Sequence, residues 1–91
     1  MNLQIEHLPE RGRFQVVVEG ATCAADYRLA DVVMTITHVG VAASLEGRGI
    51  AAALVQAALD HAKANRLKVL PLCSYARAYM RRHPESAALR A

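Results

Sequence analysis

The sequence predicts an α/β (α+β) domain: a mixed, twisted sheet of about five strands with two main helices. Three observations predict it. Between Asn2 and Val39, apolar and polar residues alternate in four short segments separated by turn residues, the period of strands with one buried face. After Gly49 the period changes to that of a helix. The short apolar segment Lys68–Leu72 then returns between two helical stretches. Short connections imply an antiparallel meander at the front. Strand, helix and strand in succession imply a right-handed crossover with a parallel pair at the back.

Each element has its own signal. Leu3, Ile5 and His7 alternate with Asn2, Gln4 and Glu6, a first strand that ends at the turn Pro9-Glu10-Arg11-Gly12. Phe14, Val16 and Val18 mark a second strand, and Glu19-Gly20-Ala21 a hairpin turn. Cys23, Ala25, Tyr27 and Leu29 mark a third strand, broken at Ala30-Asp31. The β-branched run Val33–Val39 is the fourth. Ile50, Leu54 and Ala58, flanked by Val55, Leu59 and Ala62, give an amphipathic helix of roughly four turns. Its polar face carries Gln56, Asp60 and Lys63, and Asn65 is placed to cap its C-terminus. Ser74 to Arg82 forms a second helix, stopped near His83-Pro84, and Pro84-Glu85-Ser86 can begin a last helical turn.

Composition narrows the function classes. A chain of 91 residues fits one domain spanning 1–91, with a thin core. Its hydrophobic content of 54% marks a globular chain rather than a disordered one. The net charge of +3 suits an anionic ligand. Aromatics make up only 4% and the net charge is modest, which disfavours nucleic acid as a partner. No apolar run approaches about 18 residues, so no membrane span is expected. Cys23 and Cys73 are far apart and unpaired in pattern, and no signal peptide is evident, which predicts a reducing, cytoplasmic setting. His7, His38, His61 and His83 lack ligand spacing, and no metal is expected.

The stretch "LEGRGIAAALV" is the main chemical signal. Gly47 and Gly49 stand immediately before the long helix, with Arg48 between them. A helix N-terminus presents unpaired N–H groups and partial positive charge, which together bind phosphate. Glycines permit positive φ and let a ligand approach the backbone. No Gly-Lys-Ser/Thr follows, so the stretch is not a Walker loop, and the third glycine of a dinucleotide fingerprint is missing. Taken locally, a phosphate cradle and a plain structural turn are equally good readings.

In its setting, after the fourth strand and opening a β-α-β crossover, the stretch resembles the cofactor motif Gln/Arg-x-x-Gly-x-Gly/Ala of the GNAT superfamily of acyl-CoA-dependent N-acetyltransferases. Gly49 and Ala51 match, whereas Glu46 replaces the usual Gln or Arg. A narrower resemblance to the minimal YjdJ-type group spans most of the chain. It rests on His38, Val41, Gly47 to Ala51, the segment Val69-Leu70-Pro71-Leu72-Cys73-Ser74-Tyr75, and the ending Arg82-His83-Pro84. The chain departs from that group at Val39-Gly40, where threonine and another residue are common.

The resemblance implies a single minimal GNAT domain that transfers an acetyl group from acetyl-CoA to an amine. Backbone amides of Glu46, Gly47, Arg48, Gly49, Ile50 and Ala51 would hold the coenzyme A pyrophosphate. Val39, Val41, Cys73, Ser74, Tyr75, Tyr79 and Arg82 would complete the coenzyme site. Glu46 must then point away from the pyrophosphate or pair with a cation such as Arg48. Three residues are the candidates for catalysis. Cys73, at a helix N-terminus that favours a thiolate, could act as nucleophile, or be a small buried hydrophobe. His38, expected on the same side of its strand as Met34 and Ile36, could deprotonate the amine, or be a core histidine. Tyr75, or Tyr79 four residues on along the same helix face, could protonate the leaving thiolate, and either could simply pack.

Cys23 reads as core, and His7 and His61 as surface residues without a visible partner. The acceptor implied is an amine, on a small molecule or on a protein lysine or N-terminus. Exposed strand edges in so small a sheet are compatible with a homodimer. A second class of function, a coenzyme-A-binding regulatory or interaction module with little catalysis, fits the same motifs. Acetyl transfer to an amine would separate the two.

Overall fold

The computed structural model describes residues 2–91. Its strands are β1 (Glu6–Leu8), β2 (Arg13–Val18), β3 (Ala21–Ala30), β4 (Val33–Gly40) and β5 (Lys68–Pro71). Helix α1 (Ile50–Ala64) joins β4 to β5, and α2 (Ser74–Arg82) follows β5. They form one sheet in the order β1-β2-β3-β4-β5. The first three pairings are antiparallel and the last is parallel. This is the mixed sheet that the strand–helix–strand pattern predicts.

Turn chemistry fixes the registers. Glu19 and Gly20 link Val18 to Ala21 with both φ positive, +50° and +79°, the signature of a tight hairpin whose twist matches the strands. Asp31, with φ +55°, opens the equally short β3–β4 link. Pro9–Arg11 form a 3-10 turn closed by Gly12 at φ +63°. The strand β1 is shorter than the alternation from Asn2 predicts, because only Glu6–Leu8 find partners on β2.

The inner face of the sheet carries Phe14, Val16, Cys23, Ala25, Tyr27, Met34 and Ile36, all buried. Against it pack Ile50, Leu54, Val55, Ala58, Leu59 and Ala62 of α1. These are the positions that the helical period assigns inward. Ala76, Tyr79 and Met80 of α2 join the same cluster. A final 3-10 turn, Pro84–Leu89, is anchored by buried Ser86, whose hydroxyl donates to the carbonyl of His83 at 2.7 Å. The chain then runs beside β5, where the Ala91 N–H donates to Val69 O at 2.9 Å.

His7 and His61 are not isolated surface residues. Both are half-buried, with ring centroids 4.4 Å apart. His7 also stacks on Phe14 at 4.1 Å and shares a 2.6 Å hydrogen bond with the Tyr27 hydroxyl. Pairing of β1 with β2 and packing of the last turn of α1 bring together residues 54 positions apart, a juxtaposition that spacing in the chain does not encode. Burial, then the nearby His61, hold the His7 pKa below its ordinary value, with Glu10 opposing.

Candidate functional site

The site begins where two strands part. β4 and β5 pair from Val33↔Lys68 to Ile36↔Pro71 and no further. The Ile36 carbonyl accepts N–H groups from both Leu72, at 3.0 Å, and Cys73, at 3.2 Å, which turns the chain away into α2. β4 continues to Gly40 against β3 alone. A cavity of about 580 Å³ opens there, between the end of β4, the start of α1 and Tyr75 of α2. Its walls are Val39, Gly40, Val41, Leu45, Glu46, Gly47, Gly49, Ile50, Ala51, Ala52 and Tyr75.

The glycine turn forms the polar wall. Gly47 and Gly49 have φ of +84° and +82°, and a Cβ built on either meets no atom within 4 Å. Their backbone conformation demands glycine, and the space above them is open. Gly49 is the N-cap of α1, and no side chain caps the helix. The first helical bond is Ala53 N–H to Gly49 O at 3.0 Å. The Glu46 N–H, expected among the pyrophosphate donors, is instead spent on Ala43 O at 3.3 Å, where it closes the 3-10 turn; from Gly47 through Ala52, no N–H finds a backbone acceptor. These unpaired donors and the positive end of the helix dipole give a diphosphate what it needs. The apolar wall of Val39, Val41, Leu45 and Ile50 suits a pantetheine arm. The residues present therefore fit an acyl-CoA donor.

Most of the expected donor-site residues line this cavity: Val39, Val41, Glu46, Gly47, Gly49, Ile50, Ala51 and Tyr75. The remainder point elsewhere. Arg48 donates to Glu19 in the β2–β3 turn at 2.5 Å, and so does not neutralise Glu46. Cys73 is the half-buried N-cap of α2, packed against the core rather than lining the cavity. Ser74 and Arg82 are exposed at the two ends of α2.

Tyr79 is turned inward. Its hydroxyl donates to Gln56 Oε1 of α1 and its ring stacks on His83 at 3.9 Å. The bond ties α2 to α1, and burial, followed by the Tyr75, Asp60 and Glu85 charges, raises the pKa of the hydroxyl. Tyr75 is beside it, ring centroids 6.5 Å apart, and half open to the cavity.

His38 is placed differently from the expectation. The register jumps from Tyr27↔Ile36 to Asp26↔His38, which leaves Thr37 as an extra residue on β4. A bulge of this kind inverts the alternation beyond it. Val39 consequently inherits the inner face of Met34 and Ile36, and His38 turns to the outer face, exposed and opposite Asp26. Its ring lies over Gly40, where a Cβ would come within 3.0 Å of Nε2. His38 thus stands directly behind a cavity-wall residue, at the rim reached from the outer sheet face.

Sequence reasoning did not single out Gly40, Leu45 or Ala52, which also line the cavity. Gly40 had a usable signal, since a glycine ending a strand pattern marks a close approach of backbone. Leu45, buried to 1% exposure, anchors the short 3-10 turn Ala43–Leu45 that feeds the glycines. No group of three or more metal-ligating side chains occurs among the described residues.

The mixed sheet thus parts beside an uncapped, glycine-led helix N-terminus. The sequence profile of the GCN5-related N-acetyl-transferases matches residues 13–89. The chain belongs to that family. Its fold is similar to the NMR solution structure of a GCN5-like putative N-acetyltransferase from Staphylococcus aureus, with 27% identity and a TM-score of 0.78. That likeness covers 99% of this chain and 89% of the other. No curated protein matches the chain.

Proposed function

We propose that the chain is an N-acetyltransferase that moves the acetyl group of acetyl-CoA to an amine acceptor, within the one domain formed by residues 1–91. The observation that carries this reading is the run of unpaired N–H groups from Gly47 to Ala52, opening into a cavity with apolar walls. The diphosphate would lie on the turn and the pantetheine arm between β4 and α1, which directs the thioester towards Tyr75. The amine nitrogen then attacks the thioester carbon. The N–C bond forms, the C–S bond breaks, the amine gives up a proton and the thiolate takes one.

Tyr75 is the best placed proton donor for the thiolate, since it alone of the three catalytic candidates lines the cavity. His38, at the outer rim beside Gly40, is the candidate base for an ammonium arriving over the outer sheet face. Cys73, at the N-terminus of α2, is the alternative nucleophile for a transient acetyl-enzyme. Isothermal titration with acetyl-CoA tests the donor: binding is expected, and none at millimolar ligand would sink the reading. Intact mass after incubation with acetyl-CoA separates an acetyl-Cys73 intermediate from direct transfer.

One observation supports a second reading. Neither His38 nor Cys73 lines the cavity, as a coenzyme-A-binding module with little catalysis would allow. Donor binding without acetyl transfer across a panel of amines and peptides would favour that module.

A further inference from the structure

We infer that Glu46 and Glu19 are affinity-setting residues that weaken the hold of the glycine turn on the phosphates of the anionic donor. This rests on the donor site proposed above. Glu46 is the one charged residue among those lining the cavity, next to the unpaired amides of the turn. No lysine, arginine or histidine joins it in the wall. The nearest cation in sequence, Arg48, is occupied elsewhere, since its Nη1 donates to Glu19 Oε2 at 2.5 Å. Among the described residues the ion pairs are Arg48–Glu19 and Arg13–Asp26, and Glu46 takes part in neither.

Two consequences follow from Coulomb's law. The Glu46 carboxylate opposes a diphosphate at the turn directly. Glu19 opposes it twice, by its own charge and by drawing off the guanidinium that would otherwise be free to reach a phosphate. Backbone amides and the helix dipole are left to supply the attraction alone. Glu19 is held in this position by the fold: it is the first residue of the tight β2–β3 hairpin, with φ +50°, and the hairpin end lies against the glycine turn through this pair. Both members are substantially exposed, side chains 38% and 64% for Arg48 and Glu19. Solvent therefore screens the pair, and its influence is a matter of a few-fold.

The test uses the intact chain and two probes, coenzyme A and pantetheine, which lacks the diphosphate. Glu46→Gln and Glu19→Gln keep side-chain shape and remove charge at exposed positions, and matching circular dichroism and Tm establish that they fold. Each should bind coenzyme A about two- to fivefold more tightly than wild type at low salt, with the gain shrinking as salt is added. Pantetheine affinity should not change. Adding Arg48→Gln to Glu19→Gln should cancel the part of the gain that comes from the freed guanidinium. Unchanged or weaker coenzyme A binding in both carboxylate variants, with wild type binding normally, overturns this inference alone. No coenzyme A binding by wild type or any variant overturns the donor site as well.

Discussion

Replacing Gly49 by alanine separates the two roles of the glycine turn. At φ +82°, an L-residue occupies the left-handed region, at a cost of about 1–2 kcal/mol. The new Cβ meets no protein atom within 4 Å, so no steric term is added to that backbone cost. In a domain of this size each kcal/mol moves Tm by roughly 4–8 °C, which predicts a fall of about 4–16 °C. The same methyl group adds bulk in open space at a residue that lines the cavity. Coenzyme A affinity should fall at least about tenfold, or ~1.4 kcal/mol. Thermal melts followed by circular dichroism give the first quantity and calorimetric titration the second, at a temperature where the variant is folded. The stabilisation of wild type by excess ligand should be much reduced in the variant. The predicted fall in Tm with undiminished affinity would refute the cradle. Unaltered stability would refute the backbone argument.

Other perturbations reach different parts of the chain. Gly12→Ala should destabilise more than Gly49→Ala, because φ is +63° and the added Cβ would lie 2.3 Å from Tyr27 O; donor binding by the folded fraction should be preserved, and a melt milder than that of Gly49→Ala would contradict this. Tyr75→Phe should lower acetyl transfer by about 10²-fold with Tm and donor affinity unchanged, and an unaffected rate removes Tyr75 as the acid. Tyr79→Phe loses the bond to Gln56 and should cost about 0.5–1.5 kcal/mol in urea unfolding. His7 has a folded pKa below its ordinary 6.5, so the unfolded chain binds the proton more readily; stability present above that value should decline as pH falls through it towards the lowered folded pKa, then level off. Unfolding midpoints from about pH 8 to about pH 5 should show this slope, and His7→Gln should reduce it.

Much of this architecture is legible in the chain because it is local. Alternation and turn residues place β2, β3 and β4, and the helical period places Ile50–Ala64 with Asn65 as its C-cap. The strand–helix–strand order alone predicts the parallel pairing of β4 with β5. The glycine turn is legible for the same reason: two glycines before a helix expose its amides whatever surrounds them. Strand β1 is over-read, since alternation from Asn2 describes a chain that can be a strand, whereas pairing decides how much of it is.

The face of His38 and the partner of Arg48 belong to the other kind of fact. Period two assigns His38 to the inner face of Met34 and Ile36, but the bulge at Thr37 reverses that assignment, and a bulge is a property of two strands in register rather than of one. Arg48 has Glu46 two residues away and pairs with Glu19 instead, 29 positions distant, because the β2–β3 hairpin is folded against the start of α1. The sequence by itself determined the elements, their order and the amides of the turn, all consequences of nearest-neighbour geometry. Which charges surround those amides, and which face of the sheet carries His38, only the tertiary structure decided, since both depend on contacts between segments that the chain order keeps apart.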